Sequence, residues 1–569
     1  MSHDDQCSPE VRPVVRLDES RIDAIFANLS QCHLPGVAVG IAHCGLPVYR
    51  KGFGLASMEL PCVLSTATRM RIGSTSKQFT AFAYLLLCED GVASLDNRLG
   101  DYFPDFSPAV RRVTMRQLLG HTSGIMDATE IRFRLGGFEG APATTRQLLS
   151  LYRALDDVNA PPGSTWIYNN AGYILLGAAV EKLCKQSLQD FLWKRVFSPI
   201  GMYDTLIRSS DAFFTPHTAT PHTLMRDGGF RRRFWGLEFA GAGDVLSTVD
   251  DLLRWLAHMK SPVIGNRATW ETMLSPQTLS NGTSTGYGGG LIRNTYRGLE
   301  TVNHGGGWIG GNAQALKVPT LDLDVVVISN RSDIFSPVLA YQIIDASVSG
   351  LEPKLAGDGQ STGEQRFSVY RSTPVRIPTT PRGSGNSSTP GEHLTGLFRS
   401  STTERIVQLF PEHGMQIVSI DAHDLPYERD GHGNLAPIPV WSHIRRYVEL
   451  PPSDGAVPRI RLWDFGEPDE LTRVEPKPTA DASPLQGDYR ASGIDAVARI
   501  ILEANGPRLR FDSPFGSSEY HMTHLCEHSW RISCPDSFFL DAILVFSEAH
   551  DAFRIFAYNV RGFRFSRGE

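Results

Sequence analysis

The stretch Gly73-Ser74-Thr75-Ser76-Lys77, followed by Gln78-Phe79-Thr80-Ala81-Phe82-Ala83-Tyr84-Leu85-Leu86-Leu87, decides how this chain is read. Its apolar continuation predicts a helix, and a serine with a lysine three places later falls on one side of the first turn. The helix N-terminus would set unsatisfied N–H groups and partial positive charge beside the serine oxygen. Burial lowers a lysine pKa enough for its neutral amine to take the hydroxyl proton. Ser74 is therefore a candidate nucleophile and Lys77 its candidate base. Alone the pair says little: with nine lysines in the chain, about one Ser-x-x-Lys arises by chance, and a serine opening a helix is more often an N-cap.

Toward the N-terminus, residues 18–29 read as an amphipathic helix with Ile22, Ile25, Phe26 and Leu29 on one face. Strands over 37–42 and 47–52 follow, with a turn at Cys44-Gly45. On the other side, Leu118 to Ile125 leads from a helix into a loop. There His121 is read as a loop-fixing hydrogen-bond partner and not as a catalyst. Pro162 to Tyr173 gives a turn, a short extended piece Tyr168-x-Asn170, and a helix from 174 to 183. Tyr168 offers a phenol that can relay protons, and Asn170 an amide able to hold both a carbonyl and a lysine amine. A helix over 249–259 precedes Asn303-His304-Gly305-Gly306-Gly307-Trp308, whose glycines let an extended backbone approach a bound substrate closely. Strands 313–318 and 323–328 and a helix 336–347 close the unit.

At 569 residues the chain is too long for one core and should form two to four domains. A net charge of −6 gives no electrostatic case for nucleic acid or an anionic membrane. The first residues show neither a basic start nor an apolar stretch, and no window of 18 apolar residues follows. The eight cysteines contain no Cys-x-x-Cys pair and read as mostly buried free thiols of a reducing compartment. A cytoplasmic protein is the expectation. Asp421-Ala422-His423-Asp424 and Asp430-Gly431-His432 read as surface turns and not as a metal site.

Taken together, Ser74-x-x-Lys77, Tyr168-x-Asn170 and His304-x-Gly306, in that order and in helix, turn and strand contexts, resemble the penicillin-recognising serine hydrolases. That superfamily comprises class C β-lactamases, D,D-carboxypeptidases, related esterases and D-aminopeptidases. The surroundings Leu118-Leu119-Gly120-His121-Thr122-Ser123-Gly124 and Tyr168-Asn169-Asn170-Ala171-Gly172-Tyr173 share the likeness, which covers about residues 15 to 350. The resemblance implies an α/β catalytic domain: an antiparallel sheet built from both ends of the region, a mostly helical lobe between, and the active site at their junction. It implies that Ser74 becomes acylated and that Lys77 and Tyr168 share the acid–base work. Asn170 would position substrate and lysine, and the N–H groups of Ser74 and Gly307 would form an oxyanion hole beside Gly306. No metal or organic cofactor is called for. Where β-lactamases of the superfamily commonly present Lys-Thr-Gly, this chain has His304-Gly305-Gly306. The fixed positive charge that meets an antibiotic carboxylate is weakened, which favours the peptidase and esterase branches.

Residues 351–390, rich in Ser, Thr, Pro, Gly and Arg, read as a linker after a catalytic domain of 1–350. Leu394-Thr395-Gly396-Leu397-Phe398-Arg399-Ser400-Ser401 and Leu485-Gln486-Gly487-Asp488-Tyr489-Arg490-Ala491-Ser492 share one pattern, each followed by alternating strands. They predict a duplicated antiparallel β-barrel, over 391–478 and 484–569. A serine hydrolase domain followed by two barrels is similar to the bacterial D-aminopeptidases of the superfamily. In these the second barrel sends a loop into the active site and restricts it to substrates with a free N-terminus. The matching stretch is Asp512 to His521, where Glu519, with Asp512 as the other choice, would pair with the substrate ammonium. The expectation is a cytoplasmic serine aminopeptidase releasing N-terminal D-residues from small peptides or amides, with a homodimer implied by the resemblance alone. The alternatives are a D,D-carboxypeptidase, esterase or β-lactamase on the same site, or a non-catalytic sensor that keeps the fold.

Overall fold

The computed structural model describes residues 13–568 apart from 30–32, 138–142, 226–227, 233, 235–237, 352–393, 413, 431, 438–445, 452–456, 478–479 and 535–540. The expected linker thus lies almost wholly outside the described residues, as do Cys7 and Cys32.

In the strand Val37–His43 large and small side chains alternate, and a strand sends alternate residues to opposite faces. Val37, Val39 and Ile41 join Leu316, Val318, Val325 and Val327 on one face, packed against Ile22, Phe26, Ile343 and Ile344. These come from the helices Glu19–Ile25 and Ser336–Ser347 and the residue that ends the first of them. The small face, with Ala38 and Ala42, meets the helix Val249–Lys260. Contact is so close that a Cβ on Gly40 would overlap Val249 and lie 2.9 Å from Leu253 Cδ1. A Gly40→Val change should therefore cost about 1–3 kcal/mol through overpacking.

The sheet has six antiparallel strands in the order Ile292–Tyr296, Leu299–Trp308, Gly311–Val318, Leu323–Ser329, Val37–His43, Leu46–Phe53. Two strands from the N-terminal end and four from the far end meet between Val37–His43 and Leu323–Ser329, as expected. The expected Cys44-Gly45 turn has φ of 54° and 76°, the doubly positive pattern that matches strand twist in a two-residue hairpin. Between the two ends lies the helical lobe, centred on Lys77–Glu89. From Lys77 to Leu87 every residue of that helix is buried, as a helix apolar all round must be. It packs against Asn170–Cys184 and, through Phe79 and Phe82, against Trp255.

The C-terminal region forms two closed antiparallel barrels of eight described strands each, Gly396 to Val474 and Gly487 to Arg567. The first strand of each, Gly396–Arg399 and Gly487–Ala491, carries the repeated motif and closes the barrel by pairing with the last strand. Two expectations need correcting. Asp421 does sit in a tight turn, with positive φ at Asp421 and Ala422, but it is buried and ion-paired to Arg405 at 2.8 Å, because the turn faces other protein. Among the described cysteines, all free, Cys526 alone is buried, whereas Cys44 and Cys62 are exposed.

Candidate functional site

Gly73 has a φ of +51°, and a Cβ there would lie 2.7 Å from Gly307 O and 2.8 Å from Gly307 N. Only glycine accepts that conformation and that proximity at once. The kink makes residues 73–76 a 3₁₀ turn and delays the α-helix to Lys77, so Ser74 precedes the helix expected to begin with it. Neither is Ser74 an N-cap. Lys77 Nζ donates to its Oγ at 2.9 Å.

Lys77 Nζ has two further acceptors, Asn170 Oδ1 at 2.8 Å and Ala242 O at 3.0 Å. Asn170 opens the helix Asn170–Cys184, four residues earlier than the sequence predicts, because Asn169 caps it by accepting the Gly172 N–H at 2.8 Å. The Tyr168 ring centroid lies 4.8 Å and that of Tyr173 5.6 Å from the amine. Burial holds Lys77 well below the usual lysine range, against a smaller opposing pull from Asp127. Burial likewise pushes the Tyr168 phenol well above its usual value, opposed by its hydrogen bond to Ser74. The amine is thus the group that loses its charge readily, and the phenol keeps its proton.

The strand Leu299–Trp308 crosses directly over the turn. Thr75 Oγ1 donates to His304 O at 3.1 Å, and a Cβ on Gly306 would overlap Ile72 O and lie 2.9 Å from Ser74 N. A Cβ on Gly307, by contrast, would meet nothing within 4 Å. Gly306 therefore fits the strand against the turn, and Gly307 faces open space next to it. His304 is buried, with Nε2 2.9 Å from Tyr287 Oη and Nδ1 bonded to Gly305 O. His121 fixes its loop as expected: Nδ1 accepts the Asn169 N–H at 3.1 Å. Burial first, then Lys77 and His304, keep it well below the usual histidine range.

Ser74, Lys77, Tyr168, Asn170, His304, Gly306 and Gly307 come together in this way, and Glu519 does not. Asp512 and Glu519 lie on a hairpin, Gly506–Ser513 with Gly516–Cys526. Alternation along the second strand buries Ser518 and Tyr520, which both donate to Arg134 O of the catalytic domain. Glu519 points the other way, half-exposed, 3.6 Å from Arg508. Asp512 accepts from Ser517 and Arg510. The hairpin docks as an expected loop would, but strand alternation turns its carboxylate away from the protein.

Other parts of the barrels reach closer. Phe465 of the first barrel packs on Trp166, ring centroids 5.0 Å apart, and Thr165 Oγ1 donates to Asp464 O at 3.0 Å. The Tyr558-Asn559 turn of the second barrel accepts the Asp127 N–H on Asn559 O at 3.2 Å. Sequence reasoning missed these, along with Ala242 and Asp127. Asp127 does carry an N-cap signature, Asp127-x-x-Glu130 before a helix, but nothing local ties it to Lys77. No group of His, Cys, Asp and Glu among the described residues is arranged to hold a metal ion, and no described helix is long and apolar enough to cross a membrane.

A sheet from both ends of the N-terminal domain, a helical lobe between them and a serine–lysine pair at their junction define a class of fold and site. The family model described as Beta-lactamase matches residues 22–347, more than half of the chain, and the chain belongs to that family. It is 26% identical over 337 residues to penicillin-binding protein 4* of Bacillus subtilis, covering 55% of this chain and 72% of that protein. To the D-aminopeptidase of Brucella canis it is 27% identical over 296 residues, covering 52% of this chain and only 56% of the relative's length. Among solved structures it is similar to the octameric penicillin-binding protein homologue from Pyrococcus abyssi. There the TM-score is 0.56 at 21% identity, over 80% of this chain and 100% of that one. The D-amino acid amidase from Ochrobactrum anthropi SV3 follows at TM-score 0.50 and 21% identity, over 58% and 97%. At these identities the structural likenesses concern the fold.

Proposed function

We propose that this protein is a serine hydrolase that releases N-terminal D-amino acids from short peptides or amides through an acyl-enzyme. The observation that carries the hydrolase reading is the set of three acceptors around Lys77 Nζ. When neutral, the amine has two N–H bonds for Asn170 Oδ1 and Ala242 O, which leaves its lone pair for the Ser74 hydroxyl. Ser74 Oγ attacks the carbonyl as Lys77 takes its proton, and the N–H groups of Ser74 and Gly307 receive the oxyanion. The protonated phenol of Tyr168, beside Ser74, supplies a proton to the departing amine. Water then attacks the ester, the proton path runs in reverse, and Ser74 is regenerated. The D-aminopeptidase part rests on the Brucella relative and on the paired barrels.

The place of Glu519 favours a second reading on the same nucleophile, a D,D-carboxypeptidase or esterase that needs no ammonium anchor. Turnover of D-alanine p-nitroanilide, its L-isomer and the N-acetylated D-compound by the purified protein separates the two. Selective cleavage of the free-amine D-substrate supports the aminopeptidase. Cleavage of blocked substrates or esters alone moves the activity to the second reading. Silence on all, with Ser74→Ala indistinguishable from the native protein, would remove both and leave the non-catalytic sensor.

A further inference from the structure

Asp127 is fully buried, and its carboxylate accepts from four donors. Oδ2 accepts the Asn170 N–H at 2.7 Å, and Oδ1 accepts Ala171 N at 3.3 Å, Thr129 N at 2.9 Å and Thr129 Oγ1 at 2.6 Å. It thus caps its own helix, Ala128–Gly136, and accepts the first two N–H groups of the helix that Asn169 caps and whose first residue holds Lys77. Its backbone N–H goes to Asn559 O in the second barrel. Asn159 secures that link, donating to Asn559 O at 2.9 Å and accepting Arg561 N–H at 2.7 Å.

We propose that Asp127 is a positioning residue for the Ser74–Lys77 pair: it fixes Asn170 and holds one buried negative charge opposite the lysine, with the second barrel locking it in place. This rests on the reading of Ser74 as nucleophile. N–H donors at a helix N-terminus oppose the burial that would neutralise this carboxylate, and as an anion near Lys77 it favours the charged amine. Asp127 therefore works against the burial that neutralises Lys77 and sets the pH at which the lysine becomes a base. The ionisable groups around the two are Glu130 on the same helix, Tyr152 on the neighbouring helix, Tyr168 and Tyr173 with their rings beside the Lys77 amine, and His121. Burial, then Glu130, push Asp127 itself up to about 6, opposed by its hydrogen bonds to Thr129 and Asn170.

The test is the rate of Ser74 labelling by a fluorophosphonate, followed against pH in the full chain for the native protein, Ser74→Ala and Asp127→Asn. Asp127→Asn keeps the volume but removes the charge and turns an amide N–H₂ toward other donors. We expect a lower plateau rate on the alkaline side and, in addition, an acid limb displaced downward by about one pH unit, since the lysine loses its counter-charge. A uniform loss with the limb unmoved is what a merely structural cap would give, and it overturns the proposal. If Asp127→Asn does not fold, Asp127→Ser, which keeps an N-capping hydroxyl but removes the charge, must move the limb the same way. An unmoved limb there overturns the proposal equally. Native protein unlabelled at Ser74 would instead remove the nucleophile reading beneath it.

Discussion

Lys77 Nζ and Asn170 Oδ1 lie 2.8 Å apart although 93 residues separate them in the chain. The contact joins the first residues of two helices, each buried along most of its length, so the amine is presented by rigid elements and not by a loop. Lys77→Arg keeps a cation there but replaces a base with a group that stays protonated in proteins. Hydrolysis and Ser74 labelling should both fall by about 10²–10⁴-fold, the usual worth of a general base. Retention of native rates by the arginine variant would take the base role away from Lys77.

The directions of the two pKa shifts fix the shape of the pH–rate profile. Lys77 is held well below the usual lysine range and must be neutral to act, so activity is lost as pH falls and the amine charges. Tyr168 is pushed well above the usual phenol value, so its ionisation takes nothing away between about pH 8 and 10. With an N-acetylated or ester substrate, which has no α-amino group to titrate, a single acid limb in kcat/KM is expected. An alkaline fall in that window with such a substrate would mean that Tyr168 ionises there, against the effect of its burial.

Adjacent glycines of one strand should respond in opposite ways. Gly306→Ala drives a methyl into Ile72 O and the Ser74 amide, displacing the turn that carries Ser74. A loss of about 1–3 kcal/mol in stability and roughly 10²-fold in kcat should follow. Gly307→Ala adds a methyl in open space, so thermal stability should be unchanged while KM rises. Equal melting temperatures for both variants would contradict this arrangement.

Glu519→Ala should leave turnover of free-amine and N-acylated substrates unchanged, since its surface pairing with Arg508 is worth no more than about 1 kcal/mol. A selective loss on amine substrates would show that the hairpin rearranges in solution to bring Glu519 to the site.

Asp464 accepts from Arg405, Arg446 and Arg561 at 2.8 Å each, all buried or nearly so, where the barrels meet. These guanidiniums hold its carboxyl far below the usual range despite burial. Asp464→Asn leaves three cations with one fewer counter-charge and should cost about 3–5 kcal/mol. Denaturant unfolding checks it; a change within about 0.5 kcal/mol would mean the cluster relaxes at no cost.

Local chemistry made much of this protein legible in its sequence. Alternation in Val37 to Ala42, the Cys44-Gly45 turn and the repeat at Leu394 and Leu485 each act over a few residues, and each predicted its element. The helix Ser336–Ser347 has the predicted bounds. Ser74, Lys77, Tyr168, Asn170, His304 and Gly306 stand out as candidates in the sequence because their side chains or spacing carry a chemical signature. The rest depends on what packs against what. Gly73 kinks because Gly307 lies over it, so the helix starts at Lys77. Ala242 offers a backbone carbonyl, which no side chain announces. Glu519 faces outward because two neighbours on its strand are claimed by Arg134 O. Asp127 became part of the site only when folding buried it between Asn170 and Asn559, because the force between a carboxylate and an amine depends on their separation in space and on the water excluded around them, neither of which is written along the chain.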